Sequence, residues 1–347
     1  MRKQFGARPS KSDLEKYSKS SYWNGKIFEN LEETTMEFAL SNLPKFLHKQ
    51  FCQKEDREPL EPLPILSFDK EQFESGNHLM KSIWYGHSAI LMQLNHKNIL
   101  IDPMFGLDAA PIAPFKVKRF SEGTLDLIDE FPEIDLVLIS HDHYDHLDYD
   151  SVLKLKDKTK QFYVALGVKR HLVSWGINPE KVTEFNWWEE SVFENIKITF
   201  TPTRHFSGRG LTDRAKSLWG GWVFKTAEEN IWFSGDSGYG SHFTAIGTRL
   251  GPFDFAFMEC GQYNENWHQI HMYPEESVQA AIDAGVKNMM AVHWAGFALA
   301  QHSWKEPVER FVEKATSENL KFIVPEMGEL FNAKSINNTE FWYRNVL

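Results

Sequence analysis

Four side chains able to bind a metal ion stand within six consecutive residues, His141-Asp142-His143-Tyr144-Asp145-His146: His141, His143, Asp145 and His146. Imidazole nitrogens and carboxylate oxygens both bind zinc-type ions at about 2.0–2.2 Å, so one tight loop can aim them at neighbouring ions. The two-residue spacing lets His141 and His143 share an ion, with Asp145 and His146 turned toward a second. A lone histidine is ordinarily a satisfied core or surface residue; packing does not explain this density of ligand types. Three further candidates lie downstream: His205 in Thr203-Arg204-His205-Phe206, Asp236 in Ser234-Gly235-Asp236-Ser237-Gly238, and His293 in Ala291-Val292-His293-Trp294. The glycines beside Asp236 permit a sharp backbone turn close to a metal.

Each candidate follows an apolar run that predicts a strand. Residues 134–140 (IDLVLIS) form a continuous apolar stretch, as a strand covered on both faces requires, and open directly into His141. Strands predicted over 196–200, 231–234 and 288–292 deliver His205, Asp236 and His293, so all seven side chains can converge on one sheet edge. Upstream, 83–85, 88–94 and 98–101 read as short strands, with a hairpin turn expected at His96-Lys97-Asn98. Further strands are expected at 162–165, 221–225 and 255–258, and helices at 169–175, 274–284 and 306–317. Pro274 followed by Glu275 and Glu276 is a strong helix start, with proline in the first turn and acids at the positive end of the dipole. Hairpins followed by strand–helix alternation imply two mixed sheets packed together with helices outside.

Residues 1–80 are polar and dotted with aromatics, and Pro59, Pro62 and Pro64 mark an extended connector. They are read as an N-terminal extension packing on a main domain of residues 81–347. Within the extension, 36–51 (MEFALSNLPKFLHKQF) fits an interrupted amphipathic helix that packs on the main domain or, alternatively, contacts a membrane or a second subunit.

The net charge of −10 and the absence of clustered Lys and Arg exclude a nucleic-acid binder. The same balance disfavours strong attachment to anionic membranes and leaves peripheral contact to a local patch. With only two cysteines, Cys52 and Cys260, a disulfide framework is not expected and a reducing compartment fits. The N-terminus has no apolar leader segment and no window reaches ~18 consecutive apolar residues, so neither a signal peptide nor a transmembrane helix is read and a cytoplasmic location is expected. Most of the twelve tryptophans should be core or interface, some lining an acyl-chain groove.

The His-x-His-x-Asp-His run, the later His205, the Gly235-Asp236 pair and His293 after a strand resemble the metallo-β-lactamase superfamily. The likeness narrows with Tyr85-Gly86-His87-Ser88-Ala89, Asp102-Pro103, 140–148 (SHDHYDHLD) and Gly235-Asp236-Ser237-Gly238-Tyr239. It continues through Gly251-Pro252-Phe253-Asp254, 271–278 (HMYPEESV) and 293–300 (HWAGFALA). In that order these are similar to the N-acylphosphatidylethanolamine-hydrolysing phospholipase D branch and its bacterial relatives, from about residue 80 to 330, with a weaker echo in 22–35. The resemblance implies an α+β fold, the four-layer αβ/βα sandwich of two mixed β-sheets flanked by helices. It also implies two ions: one held by His141, His143 and His205, a second by Asp145, His146 and His293, with Asp236 bridging.

The implied enzyme is a zinc-dependent phosphodiesterase in which a metal-bridging hydroxide attacks phosphorus in line. A ligand set without thiolate suits Zn²⁺ and also admits Mn²⁺ or Fe²⁺. Asp145 would orient the nucleophile as well as bind metal, and His271 would hydrogen-bond the phosphate, the alternative for His271 being helix capping or surface exposure. Gln262 and Tyr263 lie on the same approach. Asp102 is either a partner that orients a ligand imidazole or a turn residue, and His87 either belongs to the site or anchors the first hairpin. The expected substrate is a small-molecule or lipid phosphodiester, and a homodimer is implied. The alternatives are a lactonase or other ester hydrolase of the same superfamily, and a metal-bound scaffold without catalysis. Oxygen-activating diiron chemistry is disfavoured, because relatives of that type carry Glu between the first two histidines, where this chain has Asp142.

Overall fold

The computed structural model describes residues 3–35, 56–110, 116–335 and 341–346; the helix expected at 36–51 lies outside them. The strands, in chain order, are β1 (Lys81–Trp84), β2 (Ile90–Leu94), β3 (Lys97–Ile101), β4 (Ile134–Ile139), β5 (Thr159–Ala165), β6 (Val182–Phe185) and β7 (Glu190–Phe193). They continue with β8 (Ile196–Thr201), β9 (Gly221–Lys225), β10 (Asn230–Phe233), β11 (Phe255–Glu259), β12 (Asn288–Val292), β13 (Lys321–Ile323) and β14 (Leu330–Asn332). They form two seven-stranded mixed sheets, ordered β14-β1-β2-β3-β4-β5-β6 and β13-β12-β11-β10-β9-β8-β7. Helices flank them, so the layered αβ/βα sandwich stands.

The apolar run of β4 is buried at every position and parallel to both β3 and β5, which is why it reads as continuous rather than alternating. The β2–β3 hairpin turns at Asn95-His96, both with positive φ (49° and 58°), while Lys97 already pairs with Leu94. A two-residue loop between twisted strands needs φ > 0 at both positions, so the turn sits one residue earlier than His96-Lys97-Asn98. The helix Glu306–Ser317 buries Pro307, Val308, Phe311, Val312 and Ala315, a stripe at three- and four-residue spacing that faces inward. Pro274 does open the helix Pro274–Asp283, and Glu276 accepts the Tyr273 N–H at 3.0 Å.

In each sheet the strands that matter run the same way. β1 and β3 are both antiparallel to β2, and β4 is parallel to β3. β8 and β10 are both antiparallel to β9, while β11 and β12 are parallel to β10. The C-terminal ends of all seven therefore gather at one rim. Two backbone hydrogen bonds lock the sheets together there, His87 N–H to Trp294 O (2.7 Å) and His293 N–H to His87 O (2.8 Å).

The described N-terminal residues lie against this body. Ser10 caps the helix Lys11–Tyr17 in a capping box with Asp13, and Tyr17 and Phe28 are buried. Residues 3–7 are held by three side chains of the main body: Trp175 Nε1 donates to Lys3 O (2.8 Å), Arg209 Nε to Gln4 O (2.8 Å) and Arg170 Nε to Ala7 O (2.9 Å). Among the described residues no helix is long and apolar enough to cross a membrane.

Candidate metal centre

The loop after β4 turns four side chains inward because its polar backbone is tied from behind. Asp102, just past β3, is fully buried and accepts the Ser140 N–H (2.7 Å) and Ser140 Oγ–H (2.5 Å). With its proton so directed, Ser140 Oγ accepts from His141 Nδ1 at 2.9 Å. Asp102 also accepts from His146 Nδ1 (2.8 Å), and backbone carbonyls, which only accept, take the Nδ1–H of His205 (Ile270 O, 3.0 Å) and of His293 (Gly261 O, 3.3 Å). Four imidazoles thus carry their proton on Nδ1 and turn a bare Nε2 lone pair inward. Such outer partners fix the tautomer that a metal-binding histidine needs.

The bare nitrogens converge in two groups. His143 Nδ1 lies 2.9 Å from His141 Nε2 and 3.1 Å from His205 Nε2; two nitrogens about 2.0–2.1 Å from a tetrahedral ion sit roughly 3.3 Å apart. On the other side, His146 Nε2 and His293 Nε2 are buried and make no hydrogen bond. They lie 3.0 and 3.1 Å from Asp236 Oδ2 and 3.6 and 3.5 Å from Asp145 Oδ2. Asp236 Oδ2 is also 3.8 Å from His141 Nε2 and 3.9 Å from His205 Nε2, between the two groups. Its reach depends on close backbone packing: Gly235 has φ 66°, and a Cβ there would lie 2.4 Å from Gly220 O.

The electrostatics favour a cation. Burial, and after it the neighbouring imidazoles, hold His141 and His205 well below the usual histidine range, and burial takes His143 down to about 4. Burial opposes charge on His146 and His293 too, yet Asp236 and Asp145 pull His146 well above its ordinary value and His293 up to about 10. The two carboxylates themselves stay well below theirs despite burial. Two buried carboxylates drawing protons onto nitrogens already protonated on their other side is the demand that a divalent ion meets by displacing those protons. Beside the cluster lies a cleft of about 270 Å³, with His143, Tyr144, Asp145, Asp236, His271 and His293 on its polar side. Ala109, Phe206, Trp267, Ile270 and Leu299 form an apolar rim.

The chain matches the beta-lactamase superfamily domain over residues 97–294. The N-acyl-phosphatidylethanolamine-hydrolyzing phospholipase D 1 of Caenorhabditis elegans is 31% identical over 335 residues, covering 89% of this chain and 93% of the worm protein. The chain belongs to the phospholipase D-like branch of the metallo-β-lactamase superfamily. It is a metal-dependent hydrolase of that fold. The mitochondrial N-acyl-phosphatidylethanolamine-hydrolyzing phospholipase D of Saccharomyces cerevisiae is similar at 32% identity over 75% of this chain and 57% of the yeast protein. An uncharacterised protein of Mycobacterium tuberculosis is 36% identical over 82% of this chain and 77% of its own length. Among solved structures, Igni18, a metallo hydrolase of Ignicoccus hospitalis, superposes with a TM-score of 0.56 at 20% identity, over 73% of this chain and 97% of that one. That likeness concerns the fold.

In this superfamily member every one of the seven expected ligands reaches the cluster. His141, His143 and His205 gather in one group, and Asp145, His146 and His293 in another; Asp236 stands with His141 and His146, and again with His293. His87 is part of the site as well as of the hairpin: its Nε2 donates to Asp145 Oδ2 at 2.9 Å, and burial lowers its pKa to about 3. Asp102 orients imidazoles. His271 sits in the cleft, not on a cap, with Nδ1 hydrogen-bonded to Glu259. Gln262 touches the cleft, but its side chain donates to Phe297 O (2.9 Å) and accepts from Leu299 N and Ala300 N (both 2.9 Å), bracing the 297–300 turn. Tyr263 points away and donates to Glu306 at 2.7 Å. Glu259 escaped sequence reading. It ends β11 fully buried, and burial together with Asp236 lifts its pKa well above the usual range. The available signal was an acid closing an apolar run, the pattern that marked Asp236.

Proposed function

We propose that this hydrolase is a binuclear zinc-dependent phosphodiesterase, the activity for which its worm and yeast relatives are named. The observation that carries the reading is the set of four histidines whose Nδ1 protons are taken by Ser140, Asp102, Ile270 O and Gly261 O, leaving four buried Nε2 lone pairs facing two carboxylates. His141, His143 and His205 would hold one ion, Asp145, His146 and His293 the other, with Asp236 shared. Two such ions supply Lewis acidity and an activated water for in-line hydrolysis at neutral pH.

The chain's own groups supply orientation. His87, its ring beside that of His293, fixes the Asp145 carboxylate through Oδ2, so that Asp145 can hold the attacking water in line. Glu259 holds the His271 ring, which then presents its other edge to a phosphoryl oxygen in the cleft. Phe206, Trp267, Ile270 and Leu299 offer apolar surface to the acyl portion of a lipid substrate. Residues 81–347 act in this reading as one hydrolase domain, with 1–80 an extension upon it.

Asp142 supports hydrolysis over diiron oxygen chemistry. Its carboxylate faces away from the cluster, accepting from Gly208 N (2.7 Å), His171 Nε2 (3.1 Å) and Ser217 Oγ, beside Arg170. It is committed there and does not extend the ligand set.

The test is purified protein, its metal measured by elemental analysis, assayed against N-acylphosphatidylethanolamine, a bis-aryl phosphodiester and a panel of lactones. Phosphodiester cleavage with two zinc ions per chain is expected. Lactone turnover without phosphodiester cleavage refutes the substrate class, and no turnover with both ions loaded favours the scaffold.

A further inference from the structure

We infer that residues 28–35 are a clasp that sets the metal centre, with Asn30 the positioning residue for His205. The inference rests on the proposed ligand role of His205. His205 lies four residues past the end of β8, in a loop with no strand beside it, and its backbone groups need partners. Asn30 provides both: Oδ1 accepts the His205 N–H at 3.0 Å, and Nδ2 donates to His205 O at 2.8 Å. A planar carboxamide carries one acceptor and one donor side by side, so it pairs with a single residue as a neighbouring strand would. Trp219, itself buried, donates Nε1–H to the same Oδ1 at 3.1 Å and fixes the amide's orientation. The His205 ring is then held at two levels, by Asn30 at its backbone and by Ile270 O at Nδ1.

The residues that follow bind the other ligand-bearing loops. Arg204 Nε donates to Thr34 Oγ1 (3.0 Å), and its Nη atoms donate to Glu33 O (2.6 Å), Gln269 Oε1 (3.0 Å) and Tyr239 O (3.2 Å). Thr35 N–H donates to Gln269 Oε1 (2.8 Å), two residues before His271. Glu32 Oε1 accepts from Ser241 N (2.8 Å) and Ser241 Oγ (2.5 Å), at the end of the loop that begins with Asp236. At the start of the clasp, Phe28 is buried and its N–H donates to Ala215 O (2.9 Å). One short segment therefore ties down the loops of His205, Asp236 and His271. None of its residues belongs to the ligand cluster, and the clasp gives the 22–35 echo in the sequence a physical role.

Three variants of the full chain are compared with wild type, each loaded with Co²⁺ or Zn²⁺ and challenged with graded chelator. His205→Ala tests the ligand reading: it should lose one of two ions, and retention of both would sink that reading independently of the clasp. Asn30→Ala should release one ion at roughly tenfold lower chelator concentration, the lower end of what groups supporting a ligand contribute. Its Co²⁺ visible spectrum should change while the second ion stays. Asn24→Ala loosens the turn just before the clasp, removing the acceptor of Lys26 N and Ile27 N (2.9 Å each), yet touches no ligand loop; it should keep wild-type chelator resistance and spectrum. Should Asn30→Ala fail to fold, Asn30→Asp keeps the acceptor for His205 N–H and loses the donor, and should fall between. Wild-type resistance and spectrum in the folded Asn30 variant, or equal loss in Asn24→Ala, overturns the inference.

Discussion

Replacing Asp102 by asparagine tests whether a group that touches neither ion governs the metal centre. The substitution is isosteric, so the core around Asp102 keeps its volume. Its chemistry is not conserved. Asp102 accepts three hydrogen bonds through two oxygens: Ser140 N at Oδ1, and Ser140 Oγ and His146 Nδ1 at Oδ2. An amide converts one of those oxygens into a donor. If the new N–H₂ faces Ser140 N–H, a backbone donor is stranded in a buried site. If it faces His146, the ring must move its proton to Nε2 and can no longer ligate. Ligation by His146 requires the first arrangement, so binding the metal must leave one buried donor unmatched, at about 1–3 kcal/mol. Since 1.4 kcal/mol is about tenfold, metal affinity should fall roughly 5- to 150-fold, consistent with the loss expected for groups behind a ligand. The assay is metal content per chain against increasing chelator, with thermal melting of the metal-free protein as a check on folding. Asp102→Asn holding both ions at the wild-type chelator concentration would refute the tautomer argument on which the proposed site rests.

Asp236→Ala removes the carboxylate lying between both groups of imidazoles, so metal content and turnover should collapse together, by more than the roughly 10–100-fold typical of a supporting group; elemental analysis showing two ions would make the ligand assignment wrong. His271→Ala should leave metal content intact and lower turnover by about 10²-fold, the scale of one lost oxyanion donor; steady-state kinetics beside metal analysis reads both. Acid should destabilise the fold through His171, which burial and Arg170 lower to about 3. Its Nδ1 accepts the Ala7 N–H at 3.1 Å and so stays unprotonated in the fold. The unfolded chain takes up that proton near pH 6.5. This contribution is therefore complete above about 6.5 and is lost at up to about 1.4 kcal/mol per pH unit as pH falls toward about 3. Melting curves between pH 7 and 4 should be shallower in pH for His171→Gln, and an unchanged slope would contradict the assignment.

The part of the site legible in the sequence is the part encoded locally. β4 announces itself because a strand covered on both faces must be apolar throughout, and the His141–His146 loop because packing does not bring four candidate ligands together in six residues. Strands β10 and β12 were readable for the first reason and β8 from Ile196, Ile198 and Phe200, and their ends then nominated His205, Asp236 and His293. The strands that escaped are the sheet edges: β6 buries only its two end residues and β7 none, and β13 and β14 have three residues each, formed by pairing with β12 and β1. Nothing in three residues specifies such a partner. The same limit hid the contacts of the supporting groups. Asp142 is ligand-like in type and sits between two ligands, yet His171, Ser217 and Gly208 draw it outward, and those residues are remote in sequence. His87 meets Asp145 across 58 residues and Asn30 meets His205 across 175, contacts that only the closed fold brings about.

The backbone at the rim argues that this geometry is set by the fold. His87, Asp102, Gln262 and His293 all take left-handed conformations, with φ of 53°, 40°, 62° and 69°. For a non-glycine residue that conformation costs roughly 1–2 kcal/mol, and it persists only where the surroundings over-determine it. Here they do: His87 and His293 exchange backbone hydrogen bonds with the opposite sheet, Asp102 accepts three donors, and Gln262 braces the 297–300 turn. The strained residues stand at the ends of β1, β3, β11 and β12, so the strain falls where strand direction must be exchanged for side-chain direction. A centre prepared in this way would gain its metal affinity from proposed ligands already in place, held there by the outer groups from Asp102 to Asn30.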